Sequence, residues 1–319
     1  MSHAGESGLD KPKPAKRKIN GVLLLNKPYG ITSNRALQIV KRLFSAAKSG
    51  HTGTLDPMAT GLLPICFGEA TKFSSMLLSA DKTYQATVKL GYTSSTGDAD
   101  GEISVAENPG PIQTPLKPDE LEKKLQNFTG LIKQIPPMHS ALKYQGKPLY
   151  SYARKGIEIK RQPRDIIIHD LKIDVFVGNE LQITVKCGTG TYIRTLAEDI
   201  GKALGYGGAY LSKLCRCAIN DFDLSQAYSL DTLERKLLVD REACLYSTDY
   251  LLKELQAVNL DAQSATSILQ GRTILDHPAV YQLSAGEKIR LYDCERRFLG
   301  LGEISAEGKI IPKRLMSAN

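Results

Sequence analysis

The stretch Gly50–Pro64, GHTGTLDPMATGLLP, is a glycine-rich loop that runs into an apolar segment and carries a single carboxylate, Asp56. Its glycines permit positive φ and close approach of another backbone, and Pro57 keeps the residue before it out of the α region. Asp56 is therefore expected in a constrained, extended backbone. Two interpretations are open: a tight turn whose aspartate accepts backbone N–H bonds, or a loop that offers a reactive acid to a substrate.

The segments around this loop alternate between strand and helix patterns. Short apolar or alternating runs predict strands at 22–25, 62–67, 82–90, 166–168, 171–177 and 181–187. Helical spacing and capping residues predict helices at 33–44, 71–78, 120–128 and 195–204. The loop at 91–101 is dense in Thr, Ser, Gly and Asp, and we predict that it is exposed.

Charge gives a first indication of the partner. The 319 residues carry a formal net charge of +8, and Lys and Arg are spread along the whole chain. Such a surface attracts polyanions, which makes nucleic acid the first partner to consider. Charge alone leaves this open, because many basic proteins bind no nucleic acid.

The cysteines and the apolar runs exclude other classes of protein. None of the six cysteines belongs to a Cys-x-x-Cys pair or has a histidine at metal-binding spacing. We therefore predict reduced, mostly buried thiols and no metal site. The sequence shows no apolar run long enough to span a bilayer and no signal-peptide pattern, so the protein is expected to be cytoplasmic and not bound to a membrane.

Composition divides the chain into three parts. Residues 1–19 are rich in Gly, Ser, Pro and Lys and are predicted to form a disordered basic tail. Residues 20–250 are predicted to form the main domain, with a basic, proline-broken insertion at 134–164. Residues 251–319 contain short strands punctuated by glycines and are predicted to form a small β-rich module.

Five motifs in order resemble the TruB-type tRNA pseudouridine-55 synthases. The loop Gly50–Pro64 resembles the catalytic-aspartate loop of that family. The other four motifs are Gly21–Pro28, Asp81–Tyr84, Pro136–Lys143 with Tyr150–Gly156, and Gly190–Leu196. The resemblance runs from about Gly21 to the C-terminus, where the last module resembles a PUA domain. It implies an α+β fold with a mixed, largely antiparallel sheet flanked by helices.

The resemblance also implies roles for residues near the reacting uridine. Asp56 matches the catalytic acid, acting as nucleophile or base toward the sugar, and Arg194 matches the arginine that pairs with it and keeps it ionised. Tyr84 matches the tyrosine that stacks on the flipped uracil and assists proton transfer at C5. Tyr192 and Leu211 match walls of the uracil pocket, although a core position is the ordinary place for such a leucine.

Further residues are matched to RNA binding. His51 resembles a histidine that fills the space left by flipped nucleotides. Lys27 is expected to support the floor of the active site, with a phosphate contact as the alternative. The insertion offers Lys143, Arg154 and Lys155 among tyrosines, a combination that suits a folded or partly single-stranded RNA loop.

The implied reaction isomerises uridine 55 in the T stem-loop of tRNA and requires neither cofactor nor metal. The expected protein is a monomer without an obligate protein partner. Whether Asp56 forms a sugar adduct or removes a sugar proton to give a glycal stays open at this level. Three rivals are a non-catalytic RNA-binding protein on the same fold, a guide-dependent synthase of the dyskerin type, and an aspartate hydrolase. The hydrolase would need a paired second acid or a metal cluster, and neither is apparent in the sequence.

Overall fold

A ten-stranded mixed sheet forms the centre of the main domain in the computed structural model. The structure describes residues 16–107, 118–275 and 277–317. In those ranges, no helix is long and apolar enough to cross a lipid bilayer. The predicted disordered tail falls mostly on residues 1–15, which lie outside the described part. Its last residues belong to the fold, because the Arg17 amide donates to the Ser45 carbonyl at 2.7 Å and Ile19 is buried.

The described elements follow the alternation of strand and helix patterns in the sequence. The strands of the main domain are β1 Gly21–Lys27, β2 Ser49–His51, β3 Thr60–Phe67, β4 Lys82–Leu90, β5 Tyr92–Ser94, β6 Ile103–Val105, β7 Gly130–Gln134, β8 Lys143–Tyr144, β9 Lys147–Pro148, β10 Arg164–Val177, β11 Glu180–Cys187, β12 Ala209–Ile219, β13 Phe222–Asp223 and β14 Tyr228–Ser229. Its helices are α1 Ser33–Leu43, α2 Ser75–Leu78, α3 Pro118–Gln126, α4 Leu149–Ala153, α5 Ile193–Ala203, α6 Leu230–Arg235 and α7 Leu238–Glu242. Short 3-10 helices span Gly68–Lys72, Leu224–Gln226 and Thr248–Leu252.

The strand order of the large sheet is β14-β1-β3-β12-β4-β11-β10-β7, with β2 paired to β3 and β13 paired to β12. Among the described strands of this sheet, only the pairs β1–β14 and β3–β12 are parallel, so the predicted mixed, largely antiparallel sheet is confirmed. The strands predicted at 166–168 and 171–177 are one strand, β10, whose register shifts between Ile168 and Asp170. This bulge is the interruption that appeared in the sequence as a gap between two strands.

Each face of the sheet has its own core. One face buries apolar residues of α1 and α5, including Val40 and Leu196, against alternate residues of β3, β4 and β11. The other face buries Leu24, Phe73 and Leu251 beneath α2 and the 3-10 helix at Thr248–Leu252. Because the central strands are covered on both sides, Leu23–Leu25 of β1 appear in the sequence as a continuous apolar run.

The C-terminal residues form a four-stranded sheet in the order β15 Gln256–Asn259, β16 Lys288–Tyr292, β17 Phe298–Ile304 and β18 Ile310–Leu315. Helix α8, Ala262–Leu269, packs on this sheet around Ile268, and a 3-10 helix spans Pro278–Tyr281. Leu301 and Phe298 of β17 also reach the second core of the main domain, where Phe298 meets Phe73 with ring centroids 5.4 Å apart. The module therefore docks through apolar side chains.

Two expectations from the sequence are wrong in part. The loop at 91–101 is not uniformly exposed, because Asp98 retains only 4% of its surface and the region includes β5, which pairs with the following strand β6. The cysteines are all free, but only Cys66, Cys187 and Cys244 are buried, while Cys294 is exposed. Within the described ranges, no group of three or more His, Cys, Asp or Glu side chains is arranged to hold a metal ion.

Candidate active site

Asp56 lies on the loop between β2 and β3, and several neighbours hold that loop in place. The Ser33 hydroxyl, at the start of α1, donates to the Leu55 carbonyl at 2.9 Å and accepts from the Leu55 amide at 2.8 Å. The Pro57 carbonyl accepts from the Gly30 amide at 2.9 Å. The residues on each side of Asp56 are therefore anchored, which gives the carboxylate a defined position.

Arg194 joins this loop to two other segments. Its Nε lies 3.1 Å from an Asp56 carboxylate oxygen, and only 7% of the arginine side chain is exposed. The same guanidinium donates to the Thr96 carbonyl at 2.9 Å and to the His139 carbonyl at 2.8 Å. The sequence connected Arg194 with Asp56 only through resemblance; the fold places them in contact.

Asp98 is a second acid at this arginine, and the sequence did not single it out. A carboxylate oxygen of Asp98 lies 3.7 Å from the Arg194 Nε, and the Asp98 side chain is 5% exposed. Its carboxylate also accepts from the Thr96 hydroxyl at 2.5 Å and from the Asp100 amide at 3.2 Å. A second acid, not apparent in the sequence, therefore lies beside the arginine that pairs with Asp56. The available signal was the run of Asp and Gly at 97–101, whose composition is also that of a solvated loop.

Gly97 allows the Asp98 loop to approach α5 so closely. Its φ is +78°, and a Cβ atom at this position would lie 2.8 Å from a Glu198 carboxylate oxygen and 3.4 Å from the Arg194 Cβ. Any larger residue would combine an unfavourable φ with a clash. The buried acid can therefore meet the arginine because the residue before it is glycine.

The charges around Asp56 act on its pKa in opposite directions. Burial raises the pKa of Asp56 above the ordinary carboxyl value, the Arg194 guanidinium lowers it, and the nearby charges of Asp98 and Asp100 raise it. Arginine stays protonated at any physiological pH, so the pairing opposes the tendency of a buried acid to become neutral. The site can thus keep one carboxylate ionised in a partly desolvated position.

Tyr84 and Tyr192 border the same region. Tyr84 lies on β4 and is partly buried against the core on the α5 side. Burial raises the pKa of its phenol, and the charge of Arg216 lowers it. Tyr192 caps α5, and its backbone amide and carbonyl are both bonded to the side chain of Gln134, at 2.8 and 3.1 Å. Gln134 is a further residue that the sequence did not reveal, and it ties the start of the insertion to α5.

Lys27 is fully buried, which bears on its two predicted roles. Its ammonium donates to the carbonyls of Pro28, Ile31 and Pro57 at 2.8, 2.7 and 3.3 Å. Burial lowers the pKa of this ammonium to about 8. This placement favours support of the loop from below over the alternative contact with an RNA phosphate.

Leu211 and His51, two further residues with predicted roles at the site, differ in their burial. Leu211 has none of its surface exposed and belongs to the core, and its place in the wall of the uracil pocket stays a prediction. His51 ends β2 and is half-buried, and its Nδ1 has no hydrogen-bond partner among the described residues. Burial, and next the charge of Arg216, lower the pKa of His51, which favours the neutral imidazole.

Lys143, Arg154 and Lys155 lie on the insertion, and all three are exposed. The hairpin of β8 and β9 lies within the insertion and leads into α4. Arg154 lies over the Tyr150 ring at 5.3 Å from its centroid, and the rings of Tyr144 and Tyr152 meet edge to face. The surface therefore combines cations with aromatic faces, as the sequence predicted.

Comparison with known proteins assigns a family to this arrangement. The model of the TruB family pseudouridylate synthase N-terminal domain matches residues 41–193, and the model of the pseudouridine synthase II TruB C-terminal region matches residues 257–316. A protein of Nitrosospira multiformis named tRNA pseudouridine synthase B is 59% identical over 303 residues, which cover 95% of this chain and 97% of that protein. A protein of Nitrosomonas europaea with the same name is 54% identical, over 92% of this chain and 95% of its own length.

The fold is also found among solved structures. A chain from the structure "Crystal Structure of a Cbf5-Nop10-Gar1 Complex" superposes with a TM-score of 0.69 at 22% identity, covering 93% of this chain and 85% of that chain. At this identity the likeness concerns the fold alone. The near full-length relatives show that the chain belongs to the TruB family of pseudouridylate synthases.

Proposed function

We propose that this enzyme isomerises uridine 55 in the T loop of tRNA to pseudouridine. The observation that carries the proposal is the contact of Asp56 with a buried Arg194 that also binds the segments of Asp98 and His139. The name tRNA pseudouridine synthase B, borne by relatives that are 46–59% identical over nearly their whole length, supports the choice of tRNA.

The reaction needs little from the protein beyond one ionised acid and a binding site that holds the uracil in position. The N1–C1′ bond of uridine breaks, the uracil turns, and a C5–C1′ bond forms; C5 loses a proton and N1 gains one. Asp56 acts on the sugar, either as nucleophile or as base, and Arg194 keeps it ionised. The uridine must leave its stack to reach Asp56, and Tyr84 and Tyr192 border the place where the extruded base would lie.

The remaining surface is assigned to RNA. His51 is half-buried beside the Asp56 loop, and burial lowers its pKa; this placement suits filling the space of a displaced nucleotide. The catalytic domain is assigned to residues 20–250 and a PUA-like RNA-binding domain to 251–319. The enzyme is proposed to act in the cytoplasm as a monomer, which light scattering with and without tRNA would test.

The direct test is to incubate the protein with unmodified tRNA transcripts and to map pseudouridine at single-nucleotide resolution. We expect one modified position, uridine 55. Transcripts that carry cytidine at this position serve as the control and should remain unmodified. Modification at a different uridine, or none in any transcript, would reject the assignment.

The insertion is expected to supply affinity and not chemistry. Changing Lys143, Arg154 and Lys155 together to glutamine should weaken tRNA binding by roughly tenfold or more and lower the salt slope of log Kd by up to about three, because each phosphate contact releases counterions. The rate of a single turnover at saturating enzyme should stay near wild type. Filter binding at several salt concentrations and single-turnover assays measure the two quantities.

A matched control removes the same charge elsewhere. Lys123, Arg235 and Lys236 lie on or next to α3 and α6, outside the insertion, and their joint change to glutamine also lowers the net charge by three. This control should leave the tRNA affinity close to wild type. Equal weakening by both triple variants would show that only the overall charge matters, and the insertion would lose its assigned role.

A further inference from the structure

Arg216 is a buried cation in the middle of β12. Only 2% of its surface is exposed, and its side chain is the largest of those that are fully buried among the described residues. Within the described ranges, no carboxylate lies within ion-pair distance of it; the acids near the site pair with Arg194. A buried charge without a counter-ion is costly, and such groups persist where they have a task.

The guanidinium of Arg216 grips the Asp56 loop at two points. Its Nε donates to the Leu62 carbonyl at 2.8 Å, and its Nη2 donates to the Gly53 carbonyl at 3.2 Å. These two carbonyls lie on opposite sides of Asp56 in the chain. A planar fork of donors suits this task, since it binds two acceptors in a fixed mutual geometry.

The backbone of Arg216 makes a third contact with this part of the chain. Arg216 pairs with Gly61 where β12 runs parallel to β3. A Cβ atom on Gly61, whose φ is +104°, would clash with the Arg216 carbonyl oxygen and lie 2.8 Å from the Arg216 amide nitrogen. Glycine at position 61 therefore lets β3 and β12 approach each other closely. Arg216 of β12 packs against β3 at this point, where the Asp56 loop ends.

Tyr84 lies directly across from Arg216 on the neighbouring strand β4. Residues opposite each other in a sheet project to the same face, so the guanidinium and the phenol lie on one face of these neighbouring strands. The charge of Arg216 lowers the pKa of Tyr84 against the burial that raises it. Burial, and next Arg216, also lower the pKa of Lys82 to about 8, so the surroundings of Arg216 are crowded with positive charge.

We propose that Arg216 is a positioning residue that holds the Asp56 loop in register with Tyr84 on the neighbouring strand, so that the acid and the tyrosine contact the same nucleotide. It acts through these two residues and does not itself contact the reacting atoms. The inference rests on the proposed function, because it needs a uridine between Asp56 and Tyr84. It adds a residue from a strand that no sequence motif had connected with the site.

The test uses Arg216→Lys and Arg216→Gln in the full-length protein. Lysine keeps the charge but cannot serve both carbonyls, and glutamine keeps donors without the charge. Both should lower the single-turnover rate on tRNA roughly 100-fold, the cost of a small misplacement of a reacting group. The Kd for tRNA should change by less than about threefold, because affinity resides in backbone contacts elsewhere.

A double substitution separates positioning from general support of the core. In a Tyr84→Phe background the phenol that Arg216 keeps in register with Asp56 is already missing, so Arg216→Lys should lower the remaining rate by less than about tenfold, as coupled residues behave non-additively. The control is Arg241→Lys. Arg241 also donates only to backbone carbonyls, those of Leu233, Leu43 and Glu234, but far from Asp56 in the chain. Its change should lower the melting temperature without altering the single-turnover rate.

Each remaining outcome counts against the proposal. Rates of both Arg216 variants within about threefold of wild type would remove the positioning role, as would the same factor of loss in the Tyr84 and Tyr84→Phe backgrounds. Failure of both variants to fold, seen by circular dichroism, would assign Arg216 to the core. If the wild-type protein made no pseudouridine in tRNA, the proposed function would fail first, before any variant is compared.

Discussion

Asp56→Asn is expected to eliminate pseudouridine formation and to leave the rest of the protein intact. An amide is neither a nucleophile nor a base toward the sugar, so the single-turnover rate should fall by at least roughly 10⁴-fold, the upper end of what one positioned acid–base group contributes. The tRNA Kd should remain within about threefold, since affinity derives mainly from phosphate contacts. Arg194 keeps a carboxylate partner in Asp98, 3.7 Å from its Nε, so the substitution does not leave the guanidinium alone.

Stability gives an independent check that Asp56→Asn is a functional loss. Burial raises the pKa of Asp56 in the folded chain. A raised folded pKa means that folding favours the protonated acid, so the ionised form reduces stability as pH rises above the ordinary carboxyl value. Asparagine removes this penalty, and the melting temperature of Asp56→Asn at neutral pH should equal or exceed that of wild type.

Asp174→Asn is the matched control for this substitution. Asp174 is exposed and accepts from the Thr184 hydroxyl at 2.7 Å, and its change should leave the rate unaltered. Mass spectrometry must exclude deamidation of the introduced asparagine back to aspartate. Turnover by a verified Asp56→Asn preparation above about 1% of wild type would refute the assigned role, because that loss is smaller than a nucleophile or base accounts for.

Arg194→Gln is expected to have the second largest effect. Glutamine can still donate to one carbonyl, but Asp56 and the buried Asp98 lose their cation. Breaking a fully buried pair costs about 3 to 5 kcal/mol, and solvent screening reduces this cost here because the Asp56 side chain is 38% exposed. If only part of this free-energy cost raises the activation barrier, the rate at neutral pH drops roughly 10² to 10³-fold. Single-turnover rates between about pH 5 and 9 would measure it.

The pH dependence of Arg194→Gln has a defined sign. Arg194 lowers the pKa of Asp56 against burial, so its removal lets that pKa rise further. The reaction needs the ionised acid, whose fraction declines as pH falls through the pKa, and the acidic limb of the rate profile should therefore move to higher pH. The deficit of Arg194→Gln should be larger at low pH than at high pH.

Asp98→Asn provides the opposite control. The charge of Asp98 raises the pKa of Asp56, so its neutralisation should move the acidic limb to lower pH. The plateau rate should also fall, because Asp98 helps to hold Arg194. Shifts of the limb in the same direction for both variants would contradict the electrostatic account of the site.

The sequence predicted local structure well where the chain's own chemistry decides it. The alternation of β4 predicted that strand to the residue, and the Thr32 hydroxyl caps α1 by accepting from the Arg35 amide at 3.1 Å, as the capping pattern indicates. β10 was one exception, since a bulge within a strand interrupts the alternation and resembles a strand end. The helix predicted at 71–78 was another, because the chain forms a 3-10 helix at Gly68–Lys72 and a separate short helix, α2, at Ser75–Leu78. The loop of Asp98 was misjudged because its composition is that of a solvated turn.

The sequence by itself determined the elements, the presence of an acid on a constrained loop, and the resemblance that named Asp56, Tyr84 and Arg194. Tertiary structure alone decided which charges meet: that Asp98 shares Arg194, that Lys27 faces inward, and that Arg216 clamps the Asp56 loop. The reason is physical. Local patterns follow from backbone preferences within a few residues, whereas burial and pairing of charges depend on segments that are remote in sequence and become neighbours only when the sheet forms.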